Sequence, residues 1–274
     1  MPTEIQGPGR NLMLMKNPDD YNEKINALVH KGERVDDLQR NGLLIIQDPS
    51  LFCFGVDAVL LSSFIKTRPG ASVCDLCTGN GIIPILISDK TDCGHIDAVE
   101  LQDKSYDLAR RSVELNGLSD RINIIHGDVN DMPQTLGRSC YDVITVNPPY
   151  MKESSGLNNM SEARNIARHE IFLSLDECVS AAAALLKPNG HLFMVHRPAR
   201  LTDLVLSMNE HGLEPKRLRL VTPYVGKSPN LLLMEAVKNG GRELKIEPVL
   251  YMYNEDGSYT DELKEFYGMQ PSDS

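Results

Sequence analysis

The stretch Ser72-Val73-Cys74-Asp75-Leu76-Cys77-Thr78-Gly79-Asn80-Gly81-Ile82-Ile83-Pro84-Ile85-Leu86-Ile87-Ser88 decides the fold. Ser72–Cys77 reads as a short buried strand, and Ile82–Ser88 opens a helix. Between them, two glycines let the backbone turn tightly and approach a ligand closely. The same unit recurs downstream. Ile96–Leu101 is a strand, and Lys104–Asn116 is a helix stopped by Gly117. Ile122–His126 is a strand followed by a short polar helix. Tyr141–Val146 is a strand, and Leu175–Leu186 is a helix ended by Lys187-Pro188-Asn189-Gly190. His191–His196 is the fifth strand and Leu201–His211 the fifth helix. Near-continuous apolar strands alternating with helices predict an α/β chain, its parallel sheet covered on both faces.

The alternation then breaks. Arg217–Val221 and Leu231–Val237 are strands with no helix between them, so the last can run antiparallel to its neighbours. Leu244–Tyr253 reads as one more strand and Asp261–Tyr267 as a terminal helix. Upstream, the first 50 residues read as an extension with a helix and a short hairpin, turning at Arg40-Asn41-Gly42 into the strand Leu43–Ile46. Asp57–Ile65 reads as a helix. The expected division is therefore 1–50, extension, and 51–274, main domain.

The chain of 274 residues is 41% hydrophobic, enough for one large core. No apolar run approaches the roughly 20 residues of a membrane helix. Met1–Lys16 carries Glu4 and Arg10 and lacks the apolar core of a secretion signal, so a cytoplasmic location is expected. Of six cysteines only Cys74 and Cys77 form a C-x-x-C, with no second pair at zinc spacing, so no metal is expected and packing is the reading. The net charge of −10 argues against broad nucleic-acid binding. Locally the balance differs: residues 186–230 hold seven Lys or Arg against three acids.

In an open α/β sheet, ligands bind beyond the carboxyl ends of the strands. The first such end is the Asp75, Cys77, Gly79, Gly81 turn. Gly-x-Gly there also describes dinucleotide binders, but the third small position is Pro84, which counts against them. The second end is Glu100, 19 residues after Gly81, placed to accept both hydroxyls of a ribose. The third is His126-Gly127-Asp128-Val129. There the Asp128 carboxylate can accept from an adenine amine, and the Val129 backbone amide can donate to a ring nitrogen. Each acid alone is equally an N-cap, but the three ends together predict a nucleoside cofactor.

The fourth strand ends Val146-Asn147-Pro148-Pro149-Tyr150. Two prolines after Asn147 cannot continue the strand. A conjugated amine is a poor nucleophile and needs acceptors for its two hydrogens. The Asn147 side-chain oxygen and the Pro148 carbonyl can supply them, fixed in advance by the prolines. Tyr150 offers a flat face for stacking. The residue chemistry reaches a planar amide or an aromatic amine.

The pairing of Asp75-Leu76-Cys77-Thr78-Gly79-Asn80-Gly81 with Asn147-Pro148-Pro149-Tyr150 resembles the amino-directed class of S-adenosylmethionine-dependent methyltransferases. Most members carry Gly where this chain has Cys77. A narrower resemblance, to the bacterial tRNA(Val) adenine N6-methyltransferases, rests on several segments. They are Asp37-Leu38, Ile46-Gln47, Phe52-Cys53-Phe54-Gly55-Val56-Asp57-Ala58-Val59-Leu60-Leu61, His196-Arg197-Pro198 and Asn230-Leu231-Leu232-Leu233-Met234-Glu235-Ala236. It implies a Rossmann-like methyltransferase fold: a seven-stranded, mostly parallel sheet with an antiparallel last strand and helices on both faces. It also implies S-adenosyl-L-methionine as cofactor, touched by Asp75, Cys77, Gly79, Gly81, Glu100, Asp128, Val129 and Asn147. Asn147, Pro148 and Tyr150 become the catalytic residues. The implied substrate is the N6 amine of an adenine beside the anticodon of tRNA.

The expected RNA-binding residues are Tyr150, Lys152, Arg197, Arg217 and Arg219. Arg200 and Lys216 lie in the same basic stretch. The loop Met151 to His169, with Arg164 and Arg168, is read as a lid. The rival readings are a protein glutamine N5-methyltransferase, an amino-methyltransferase of ribosomal RNA or DNA, and an S-adenosylmethionine-binding regulator without turnover. The first usually has a larger helical N-terminal domain than about 50 residues allow. The regulator has no use for a fixed amine acceptor.

Overall fold

A computed structural model describes residues 18–51, 53–148 and 173–270 of the chain. The main sheet is built from β3 (Val73–Leu76), β4 (Ile96–Glu100), β5 (Ile122–His126), β6 (Tyr141–Val146), β7 (Leu186–His196), β8 (Leu213–Thr222) and β9 (Leu231–Lys238). Across it the order is β8-β9-β7-β6-β3-β4-β5. All neighbours are parallel except β9, which is antiparallel to both β7 and β8. The expected α/β sheet with one antiparallel strand is what forms.

The expected strand over Leu244–Tyr253 is broken in two. β10 (Lys245–Ile246) and β11 (Leu250–Tyr251) each pair parallel with β8, making nine strands in this sheet among the described residues. Pro248 lies in the gap, and a residue without an N–H interrupts a ladder. A second proline, Pro215, sits at a register shift in β8.

Side-chain alternation splits the core in two. Phe193, Val195 and Leu233 face α2 (Val56–Phe64) and α3 (Ile82–Lys90), where Phe64 meets Phe193 edge-on at 6.1 Å. Leu192, Met194, Leu232 and Met234 face α6 (Leu175–Leu185) and α7 (Leu201–Glu210). A reciprocal capping box starts α6: Ser174 Oγ accepts from Glu177 N, and the Glu177 carboxylate accepts from Ser174 N.

The upstream hairpin of β1 (Arg34–Asp37) and β2 (Leu44–Gln47) docks on α4 (Asp103–Leu115) through polar groups. Arg111 bridges Asp107 on its own helix to Glu33 and the Leu28 carbonyl. Ile46 N donates to Ser112 Oγ and Leu44 N to Asn116 Oδ1. Asn80 Nδ2 donates to the Ile46 carbonyl, tying the hairpin to the glycine turn.

Candidate active site

Register brings the strand ends together. Leu76 is level with Val146 on one side and Val99 on the other, and Glu100 is level with His126. Cys77, Glu100 and Asn147 therefore leave the sheet side by side, which places the glycine turn against the amine-acceptor motif.

The turn is left-handed at Cys77, Gly79 and Gly81, with φ of 61°, 60° and 87°. A side chain at Gly81 would sit 3.3 Å from the Cα and Cβ of Ala109, so the close helix approach demands glycine. At Gly79 an added Cβ would meet nothing within 4 Å, leaving room above the turn. The left-handed backbone at Cys77 is one that glycine adopts more readily. Its thiol lies against that of Cys178, and this contact with burial pushes its pKa well up. Both cysteines of the C-x-x-C are free, and Cys74 is fully buried.

Glu100 fastens the turn. One carboxylate oxygen accepts from Gly79 N at 2.9 Å and the other from Gln102 N at 2.9 Å. Burial raises its pKa, opposed by these backbone donors. Each oxygen retains a second lone pair for a ligand hydroxyl. Asp75 is fully buried and accepts from Thr145 Oγ1 at 2.5 Å. Burial pushes its carboxyl up to about 7, against the Thr145 hydroxyl. The Thr78 hydroxyl, buried in the turn, also favours the ionised Asp75. The open space above Gly79, with the remaining Glu100 lone pairs beside it, fits a cofactor that carries hydroxyls. Asp128 caps the short turn Val129–Asp131, accepting from Asn130 N at 2.9 Å, and Val129 is buried.

Asn147 is half-buried and Pro148 buried at the end of β6. On the adjacent β7 end, His196 is buried, and its Nδ1 accepts from Arg197 N at 2.8 Å. Burial first, then Arg200, lowers its pKa to about 4, so the ring is neutral at pH 7. Tyr150, Lys152 and the expected lid loop with Arg164 and Arg168 lie outside the described residues.

The expected phosphate-binding arginines are corrected in part. Arg217 is buried level with Phe193, inside the sheet rather than at its edge. Its guanidinium stacks 3.9 Å from the Phe64 ring centroid and pairs with Glu235 at 3.1 Å and Glu247 at 3.3 Å. Arg219 pairs with Glu262 at 2.6 Å and donates to the Pro248 carbonyl. These contacts occupy both side chains. Lys216 donates to the Gly241 carbonyl, and Arg200 pairs with Asp203. Arg197 is placed on the carboxyl edge as expected, and its Nη1 donates to the Asn230 carbonyl at 3.0 Å.

Sequence reading missed Thr145 and Thr78. The only signal was a hydroxyl interrupting the apolar run Val143 to Val146.

The model of the methyltransferase small domain matches residues 43–208, a span that includes the hairpin strand, the glycine turn and the amine-acceptor motif. The chain belongs to the methyltransferase small domain family. The chain is 31% identical over 187 residues to a tRNA1(Val) (adenine(37)-N6)-methyltransferase of Porphyromonas gingivalis, covering 66% of this chain and 72% of that one. A protein of the same name from Dyadobacter fermentans is 27% identical over 229 residues, covering 81% and 92%. In fold it is similar to a predicted O-methyltransferase from Agrobacterium tumefaciens, with a TM-score of 0.62 at 19% identity, covering 80% of this chain and all of that one. This methyltransferase small domain is thus an S-adenosylmethionine-dependent enzyme. When bound, the cofactor supplies a methyl group already activated on a sulfonium. The residues that would hold it are Asp75, Gly79, Gly81, Glu100, Asp128 and Val129.

Proposed function

We propose that the protein methylates the exocyclic N6 amine of an adenine in tRNA, beside the anticodon of tRNA(Val). The carrying observation is the level placement of Asn147 against the Cys77–Gly81 turn, set by the Leu76–Val146 register. The names of the similar proteins support adenine in tRNA as the amine. Asn147 Oδ1 and the Pro148 carbonyl accept the two amine hydrogens and draw the nitrogen toward tetrahedral. The buried Pro148 keeps its carbonyl fixed, so little reorganisation remains at the transition state. Tyr150 stacks on the extruded base. No strong base is required, because the methylated nitrogen is acidic and releases its proton afterwards. Residues 51–274 carry this chemistry, and the extension of residues 1–50 braces it through Arg111 and Asn80.

The test is transfer of tritiated methyl from S-adenosylmethionine to total tRNA, ribosomal RNA, DNA and protein in parallel. Label in N6-methyladenosine after digestion of the tRNA is expected. Label in glutamine or in ribosomal RNA alone overturns the reading.

A further inference from the structure

With Arg217 buried and Arg219 ion-paired to Glu262, a further contact is needed to hold RNA on the β7–β8 side of the site. The loop 223–230 between β8 and β9 answers this. Leu220 is level with Leu232, which is level with His196, so the loop leaves the same carboxyl edge as Arg197. It is a tied loop. Lys227 N donates to the Tyr224 carbonyl at 3.1 Å around Gly226, whose φ is 77°. Thr222 Oγ1 lies 3.0 Å from the Lys227 carbonyl, and Arg197 holds the far end at Asn230.

This hydrogen-bonded loop presents a ring and an apolar side chain to solvent. Tyr224 is 37% exposed and Val225 73%. Tyr224 is also backed by a ladder of rings, with Tyr253 at 5.3 Å, then Tyr259 at 5.6 Å and Tyr267 at 5.5 Å. An aromatic ring exposed on one side and braced on the other loses little freedom when a base stacks on it. Lys227 is exposed beside it, and among the described residues its side chain makes no ion pair.

We infer that Tyr224 and Lys227 form a second stacking and phosphate subsite for single-stranded RNA flanking the target base. The subsite rests on the RNA reading above. Three strand spacings, about 14 Å, separate β8 from β6, so the subsite takes a nucleotide a short way along the strand from the base at Asn147. Charge sets the direction. Arg197 lies between the two sites, while Glu255 and Asp256 follow Tyr253 on the outer side. The RNA therefore crosses β7 from the active site and ends its contacts at Tyr224. Bases stacked on aromatic side chains are the usual mode for unpaired RNA loops.

The experiment compares the full-length protein with Tyr224→Leu, Tyr224→Phe and Lys227→Glu on an unmodified tRNA(Val) transcript. Tyr224→Leu keeps an apolar cover on Tyr253 but removes the stacking face. Its RNA KM should rise roughly tenfold, from the stacking lost on one base, with kcat and S-adenosylhomocysteine binding unchanged. Tyr224→Phe should stay within about twofold, since the ring remains. Lys227→Glu should raise KM and flatten its dependence on salt. An unchanged RNA KM in Tyr224→Leu and Lys227→Glu, with the wild-type chain active on tRNA, overturns this subsite alone. A wild-type chain that labels no tRNA overturns the RNA reading and this subsite with it.

Discussion

Thr145 Oγ1 donates to Asp75 Oδ1 across 2.5 Å, with both side chains fully buried. Asp75 lies two residues before Cys77 on β3, and Thr145 two before Asn147 on β6. One hydrogen bond therefore ties the strand under the cofactor turn to the strand under the amine acceptor. Removing a buried donor leaves the acceptor unsatisfied, at about 1–3 kcal/mol. Thr145→Val should lose stability of that order in urea unfolding, and Thr145→Ser should recover most of it.

The same pair predicts a pH dependence. Asp75 is held at about 7 in the folded chain, above its ordinary 3.8, so the folded state binds the proton more tightly. Its contribution to stability is full below about pH 4 and is lost as pH rises through 7. Thr145→Val removes a donor that favours the ionised form, so its loss should extend to higher pH. Asp75→Asn should abolish this component. Melting temperatures from pH 4 to 8 for the three proteins test it, and equal slopes in wild type and Asp75→Asn would refute it.

Glu100 holds the glycine turn while keeping lone pairs free, so its removal should weaken the cofactor twice over. At a hundredfold excess over the dissociation constant, S-adenosylhomocysteine should stabilise the wild-type chain by about 2.7 kcal/mol. Glu100→Ala should lose most of that at the same ligand concentration, and NAD should give no stabilisation to either. Thermal shifts with both ligands check this. A rise with NAD alone would overturn the cofactor site.

The strand ends were legible because each is a short local pattern: an apolar run closed by Gly79, Glu100, Asp128 or Asn147. The parallel sheet followed from alternation, and the antiparallel β9 from the missing helix. Arg217 was misread for a non-local reason. Alternation put it on one face with Arg219, but only the sheet shows Glu235 directly opposite it. Only the chain's return through Glu247 and Glu262 covers that face. The break at Pro248 was readable in principle, since a proline interrupts a ladder, but the apolar residues around it carried the strand reading.

Arg217 now predicts a stability effect in place of an RNA effect. Its removal takes the cation from Glu247 and leaves Glu235 with His191 alone, and breaking a buried pair by deleting one partner is destabilising by about 3–5 kcal/mol. Arg217→Ala should lower the urea midpoint strongly. Under conditions where it stays folded, its RNA KM should match wild type. Arg197→Glu should raise the RNA KM several-fold.

Asn147 carries the chemistry, and the prediction for it separates rate from binding. Its side-chain oxygen is proposed to hold a hydrogen that becomes more acidic as the nitrogen attacks, so the contact strengthens toward the transition state. Loss of such a preorganised contact lowers kcat by about 100-fold to 1,000-fold. Asn147→Ala should therefore show this fall in single-turnover methyl transfer. Asn147 also borders the cofactor turn, one residue past the paired Leu76 and Val146, so some loss of S-adenosylhomocysteine affinity is expected, but only a few-fold. A defect confined to KM would mean that Asn147 contributes equally to ground state and transition state. Calorimetry with S-adenosylhomocysteine beside the single-turnover assay distinguishes the two, and normal turnover in Asn147→Ala would remove the mechanism.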